Sequence, residues 1–230
     1  MLGVCKVRWL VIIAVCGMIL SAFAGCGTAA PSNDDDDPLD QGENDRDDID
    51  WDSLHTSQRG FRDGQNLKMS LWQKVDGEES SGWITVAVSE SDGEFDFEYA
   101  GELGDYEFSN TCSHPDEEGL HRLLSECIQH NTQLGAGRLW QKCVDPVLEN
   151  YDDISLDKVG DVGAVDNFEA EATGHKTFAG QTGINLTLKM DDKLIHEVCI
   201  SPDVPINLYS YTYEVHSDNE YRVELVEYTH

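Results

Sequence analysis

The sequence predicts an α+β domain: a curved antiparallel β-sheet, an open half-barrel-like meander, covered by one or two helices. Three observations lead there. Apolar and polar residues alternate with period two in two long blocks, the pattern of strands with one wet face. Between the blocks the apolar residues recur at i, i+3, i+4, i+7 and i+8, the period of an amphipathic helix. Short turn signals, Asp76-Gly77 and Asp92-Gly93 among them, separate the alternating runs.

Residues 1–25 read as a signal peptide. Lys6 and Arg8 form a basic start, Trp9 to Leu20 is almost wholly apolar, and Ser21 to Gly25 are mostly small. The run Phe23-Ala24-Gly25-Cys26 fits a prokaryotic lipobox, which predicts lipidation of Cys26 and a membrane-anchored chain facing the periplasm or cell exterior. Ala22-Phe23-Ala24 offers ordinary cleavage after Ala24 as the competing reading, and an uncleaved anchor as a third. Of seven cysteines, Cys5 and Cys16 leave with the signal. Lipidating Cys26 leaves four that can pair, which favours the lipobox. Residues 26–52 then form a lipidated, acidic tether. Asn33 to Asp52 holds eleven acids against one base, Arg46, too charged to offset the entropy of ordering. No glycine falls where a calcium-binding EF-hand loop needs one.

Residues 53–230 are expected to make one globular domain. Leu67, Met69, Leu71 and Val75 alternate first, and Asp76-Gly77 through Gly82 reads as a turn. Ile84, Val86 and Val88 follow, then Asp92-Gly93, then Phe95, Phe97 and Tyr99. Gly101 to Gly104 reads as the next turn, before Tyr106 and Phe108. The helix spans Ser113 to Asn131, with Leu120, Leu123, Leu124, Cys127 and Ile128 on its apolar face; Ser113 caps it and Pro115 sits in its first turn. A second short helix is expected within Arg138 to Asn150. Strands return with Phe168, Ala170 and Ala172, followed by a turn-rich stretch from Gly174 to Gly183. Ile184, Leu186, Leu188 and Met190 alternate, Asp191-Asp192 turns, and Leu194 to Ile200 continues the sheet. After the Ser201 to Pro205 loop, Tyr209, Tyr211 and Tyr213 form one face of a strand, and Tyr221, Val223 and Leu225 belong to the last.

Cys112, Cys127, Cys143 and Cys199 allow three pairings. A continuous helix puts Cys127 about 18 Å along its axis from Pro115, beyond the roughly 7 Å between Cα atoms that a disulfide tolerates, so Cys112–Cys127 is excluded. Cys127–Cys143 with Cys112–Cys199 is preferred over Cys112–Cys143 with Cys127–Cys199, because Cys127 and Cys143 can meet between adjacent helices. Cys112, His114, His121, Cys127 and His130 could be read as metal ligands, but exported cysteines oxidise, and no metal site is expected. His196-Glu197-Val-Cys-Ile200 begins like a zinc-protease motif and lacks its second histidine. With no nucleophile elbow, Walker loop or dinucleotide fingerprint, neither an enzyme nor a cofactor is expected. A net charge of −30 rules against nucleic acid, which needs a basic footprint. Scattered acids also suit a strongly hydrated, salt-adapted surface.

The order of a lipobox, polar tether, strand meander, helical insert and second meander resembles the LolA/LppX-like carriers and related uncharacterised prokaryotic lipoproteins. Locally, Phe178-Ala-Gly-Gln-Thr-Gly-Ile184 and Glu197-Val-Cys-Ile-Ser-Pro-Asp-Val-Pro-Ile206 are similar to a hairpin of such lipoproteins, with Val204 where that turn often has glycine. The resemblance implies a half-barrel whose concave face holds acyl chains, lined by Leu71, Val86, Phe97, Leu186, Leu188 and Leu208. The alternative is that these six are ordinary core under the helix. The expected partners are therefore the membrane through its lipid anchor, and a hydrophobic ligand or an envelope protein.

Overall fold

The computed structural model describes residues 48–54, 60–114, 139, 151, 154–165 and 167–230. The chain divides into two units, 1–43 and 44–230. The signal segment and Cys26 lie outside the described residues.

Local chemistry sets the strand ends. β1 (Asn66–Val75) and β2 (Glu78–Ser91) are joined by Asp76-Gly77 alone. Both residues are left-handed, at φ 54° and 83°, as the tight hairpin matching the natural strand twist requires. Asp92-Gly93 repeats this geometry into β3 (Glu94–Leu103), and Gly104 opens the turn into β4 (Tyr106–His114). A second meander comprises β5 (Val162–Val165), β6 (Phe168–Phe178), β7 (Gln181–Met190), β8 (Lys193–Ile200), β9 (Tyr209–Glu214) and β10 (Asn219–Thr229). Every pairing is antiparallel, and the order is β4-β3-β2-β1-β10-β9-β8-β7-β6-β5. The two meanders thus grow from opposite ends of the chain and meet where β1 pairs with β10. Register shifts at Lys68/Met69, Ala172/Gly174 and Leu188/Lys189 bend the strands.

The α+β expectation does not hold. The described residues form one ten-stranded antiparallel sheet with a single-turn helix, α1 (Trp51–Leu54); Leu139 and Tyr151 are also helical. β4 runs through Ser113 to His114, so the residue expected to cap a helix is in a strand. The rest of that helix, and of the second one apart from Leu139, lies outside the described residues. What covers the apolar face among the described residues is chiefly non-helical chain. Phe61 stands edge-on to Phe97 at 4.8 Å between ring centroids. Val204, Ile206 and Leu208 come from the β8–β9 connection, which is tied down by Leu208 N–H to Cys199 O at 2.8 Å. Ile49 and Leu54 pack with Tyr151 and Leu156 over the other wing. Ile49 N–H donates to Asp157 O at 2.8 Å and the Trp51 indole to Leu156 O at 3.0 Å, so the last residues of the acidic segment join this packing.

Three expected turns also move. Gly82 and Gly101 sit inside β2 and β3. Between Gly174 and Gly183 the chain stays extended except at Ala179-Gly180. Ala179 is left-handed, at φ 50°, where an alanine Cβ is crowded. Ala179→Gly is expected to add about 0.5–1 kcal/mol, the relieved strain exceeding the greater freedom of an unfolded glycine. Urea midpoints at constant slope measure it.

Candidate functional site

The pleat sorts the sheet into two faces. Leu71, Val223, Ser210, Val198, Leu186 and Ala172 align across six strands on the inner face. The proposed lining residues all lie there. Leu71, Val86, Phe97 and Leu208 share one apolar cluster, and Leu186 and Leu188 belong to a second. They are 0–8% exposed. At these positions the inner face is packed core: Phe61, Ile206 and Leu139 share the first cluster, Leu54 and Tyr151 the second.

The preferred disulfide set is also corrected. Cys199 is a free, buried thiol, six strands from Cys112 in the sheet order, so Cys112–Cys199 does not form. Cys112 is disulfide-bonded, to a cysteine outside the described residues. The Cys199 thiol is pushed up to about 12, chiefly by burial, and its Sγ donates to Lys176 O at 3.8 Å. Such a group is a small hydrophobe with little nucleophilic character. Cys127 and Cys143 lie outside the described residues. His196 is buried on the inner face with Nδ1 3.2 Å from Thr212 Oγ1.

The outer face carries the polar chemistry. Trp72, Arg222, Tyr211, Glu197, Thr187 and Glu171 align across it from β1 to β6. Here the few cations meet partners. Arg222 lies 5.4 Å from the Trp72 ring centroid and Lys193 Nζ 3.5 Å from that of Tyr213. Lys74 pairs with Glu220 at 3.6 Å, Lys189 with Glu171 at 3.3 Å, and Lys176 with Glu197. Tyr211 Oη donates to Glu220 at 3.1 Å. The middle of this face is therefore locally neutralised. Toward β4 it is not: Glu98, Glu102 and Glu107 surround a floor of small residues beside the half-buried Trp83. Sequence reasoning singled out the tyrosine stripe but missed this wing. Its available signal was the lack of any lysine or arginine from Val75 to His114.

The tyrosines give this face a pH signature. Tyr209 and Tyr211 are both pushed up to about 12 from 10.0. Burial is the main cause in each, followed by the Glu197 carboxylate for Tyr209 and the hydrogen bond to Glu220 for Tyr211. The folded state therefore holds these protons longer than the unfolded chain. Their stabilising contribution is complete below pH 10 and is lost as pH rises through 12. The urea midpoint is expected to fall between pH 8 and pH 11, and to fall less in a Tyr209→Phe/Tyr211→Phe variant.

Fold and site together describe an open antiparallel-sheet domain with a packed inner face and a polar, aromatic outer face. No family model matches the chain, and no curated protein matches it either. Among solved structures it is similar to MucB, at 14% identity and a TM-score of 0.42 over 78% of this chain and 57% of that one. MucB in complex with MucA(peri) matches at 16% identity, with a TM-score of 0.34 over 78% and 54%. A putative outer membrane lipoprotein-sorting protein domain from Vibrio parahaemolyticus matches at 8% identity, with a TM-score of 0.23 over 76% and 88%. The chain spans a little over half the length of the MucB chains it matches. At scores this low the likenesses establish neither family nor function.

Proposed function

We propose that this chain is a lipid-anchored, extracytoplasmic, non-enzymatic binding protein that contacts an envelope protein through the outer face of its sheet. The observation that carries the reading is the contrast between the two faces. The six residues that would hold a hydrophobic ligand are packed core, whereas the outer face presents aromatic rings, carboxylates and shallow relief to solvent. The anchor rests on the basic start, apolar run and Phe23-Ala24-Gly25-Cys26. Cysteine parity no longer supports it, because Cys199 remains a thiol and cannot complete a second pair. The acidic segment after Cys26 holds the domain off the membrane on a self-repelling spacer.

Two measurements test this. Mass spectrometry of the mature N-terminus should find an acylated Cys26; an unmodified Gly25 end defeats the anchor. Photo-crosslinkers placed at Trp83 and at Tyr211 in cells should capture protein. Lipid co-purifying with the protein, with no protein adduct at either position, would overturn the surface-binding reading in favour of a carrier.

A further inference from the structure

From Val75 to His114 the chain contains eleven carboxylates and no lysine or arginine. These forty residues build β2, β3 and β4, one complete wing of the sheet. The strand register fixes where the charge goes. On the outer face Glu102 lies between Trp83 and Glu107, Ala100 between Thr85 and Ser109, and Glu98 between Ala87 and Thr111. Glu102 and Glu107 are therefore directly opposed cross-strand neighbours of like charge, an arrangement that opposes folding. Elsewhere on this face the cations stand against carboxylates or rings.

The same residues make a shape. A depression of about 530 Å³ touches Trp83, Ala100, Glu102, Glu107 and Ser109. Another, of about 310 Å³, touches Ala100, Glu98, Thr85 and Lys68. They share Ala100, so they form one trough across the strands with a floor of small residues. One end already holds an ammonium, since Lys68 Nζ sits 5.8 Å from the Trp83 ring centroid while pairing with Glu227 at 3.2 Å. The chain itself thus uses Trp83 and a neighbouring carboxylate to hold a cation. Beside the trough, β4 is the edge of the sheet among the described residues, and its own residues are largely exposed, Tyr106 at 55%. It has no lysine, proline or bulge to discourage an added strand.

We infer that this trough and the adjoining β4 edge dock an extended, lysine- or arginine-bearing segment of a partner protein. Charge complementarity selects that occupant. A second copy of this chain would bring like-charged edges together, which costs association free energy and slows encounter. An extended basic segment instead adds a strand along the β4 edge and places ammonium or guanidinium groups over Glu102, Glu107 and Trp83. The inference rests on the surface-binding reading above and names its partner's chemistry.

The test uses the mature protein in non-ionic detergent and three probes: a decapeptide alternating Lys and Thr, its Glu/Thr counterpart, and calcium ion alone. The basic peptide is expected to bind, the acidic one not to. Glu98→Gln/Glu102→Gln/Glu107→Gln should raise Kd by about tenfold or more, and Trp83→Leu by about threefold. Asp191→Asn/Asp192→Asn/Asp203→Asn removes the same charge away from the wing and should leave Kd within about twofold. The glutamine triple variant should melt no lower than the parent, since it relieves the Glu102–Glu107 opposition. Equal weakening by both triple variants would reduce the effect to net charge and overturn the proposal. So would absence of peptide binding, or calcium displacing the peptide from these carboxylates. If crosslinked protein is captured on this face in cells but the peptide result fails, surface binding stands and the basic-segment assignment falls; if both fail, both readings fall.

Discussion

Phe97→Ala is expected to cost about 3–5 kcal/mol, a large part of the roughly 5–15 kcal/mol that holds a typical domain folded. Phe97 is fully buried on β3, opposite Val88 on one side and Cys112 on the other. Phe61 packs edge-on against its ring from the segment leading into β1. That segment is pinned to β2 by Gly64 N–H to Val88 O at 3.0 Å and Val88 N–H to Gln65 O at 2.9 Å, so it cannot readily collapse into the space left behind. The lost transfer free energy and the residual cavity therefore add. The melting temperature should fall by about 10 °C, whereas Thr111→Ala, exposed on the neighbouring strand, should leave it nearly unchanged. The experiment also decides what the inner face is for. A residue lining an open, ligand-holding cleft loses little folding stability on truncation. A cost under about 1 kcal/mol at Phe97 would contradict the packed reading of this face.

How far the fold could be read from the sequence depended on the range of the interaction. Alternation reports a local fact, that one side of an extended chain is buried, and Leu67-Met69-Leu71 and Ile184-Leu186-Leu188 accordingly lie in β1 and β7. Asp76-Gly77 and Asp92-Gly93 worked for the same reason: their left-handed φ is a property of two residues. The meeting of β1 with β10 is non-local, and nothing in either strand announces its partner. The covering layer failed similarly. An apolar stripe asks for a cover and does not say whether helix or loop supplies it, so Val204 and Ile206 went unnoticed as core. Alternation is equally blind to whether a concave face is open or filled, since Leu71 and Phe97 would be apolar either way.

The candidate site was legible only in part. Tyr209, Tyr211 and Tyr213 stood out as a stripe, and they do share the outer face. The acidic wing was masked by a whole chain that is acidic; only the local ratio, eleven carboxylates to no lysine or arginine, separates it from the rest. Cysteine counting failed because pairing needs proximity as well as parity. Cys199 looks across its own sheet at Lys176 and Gly183 and remains a free thiol.

Gly82→Ala should be the most damaging one-methyl change in the sheet, at about 3 kcal/mol or more. The alternation stops at Gly82, and glycine after an Asp-Gly pair reads as the end of a turn. Instead it lies inside β2, paired with Leu71 on one side and Leu103 on the other. A Cβ there would stand 1.9 Å from the Glu102 carbonyl oxygen, 2.7 Å from its carbon and 2.8 Å from the Leu103 Cα. All three are backbone atoms, so no rotamer change makes room and β3 itself must move. Gly101 and Gly183, also placed at turns by sequence, meet carbonyl oxygens of Trp83 and Ile200 at 2.3 Å in the same way. These glycines mark close approach of neighbouring strands, a use that composition alone cannot tell from turning. Displacing β3 from Gly82 shifts Glu102 and Trp83 together, so Gly82→Ala should lower the urea midpoint and also weaken binding of the basic peptide at temperatures where the variant is still folded. A variant that kept its parent's stability would mean the strands separate there at no cost, and would remove the rigid spacing on which the trough depends.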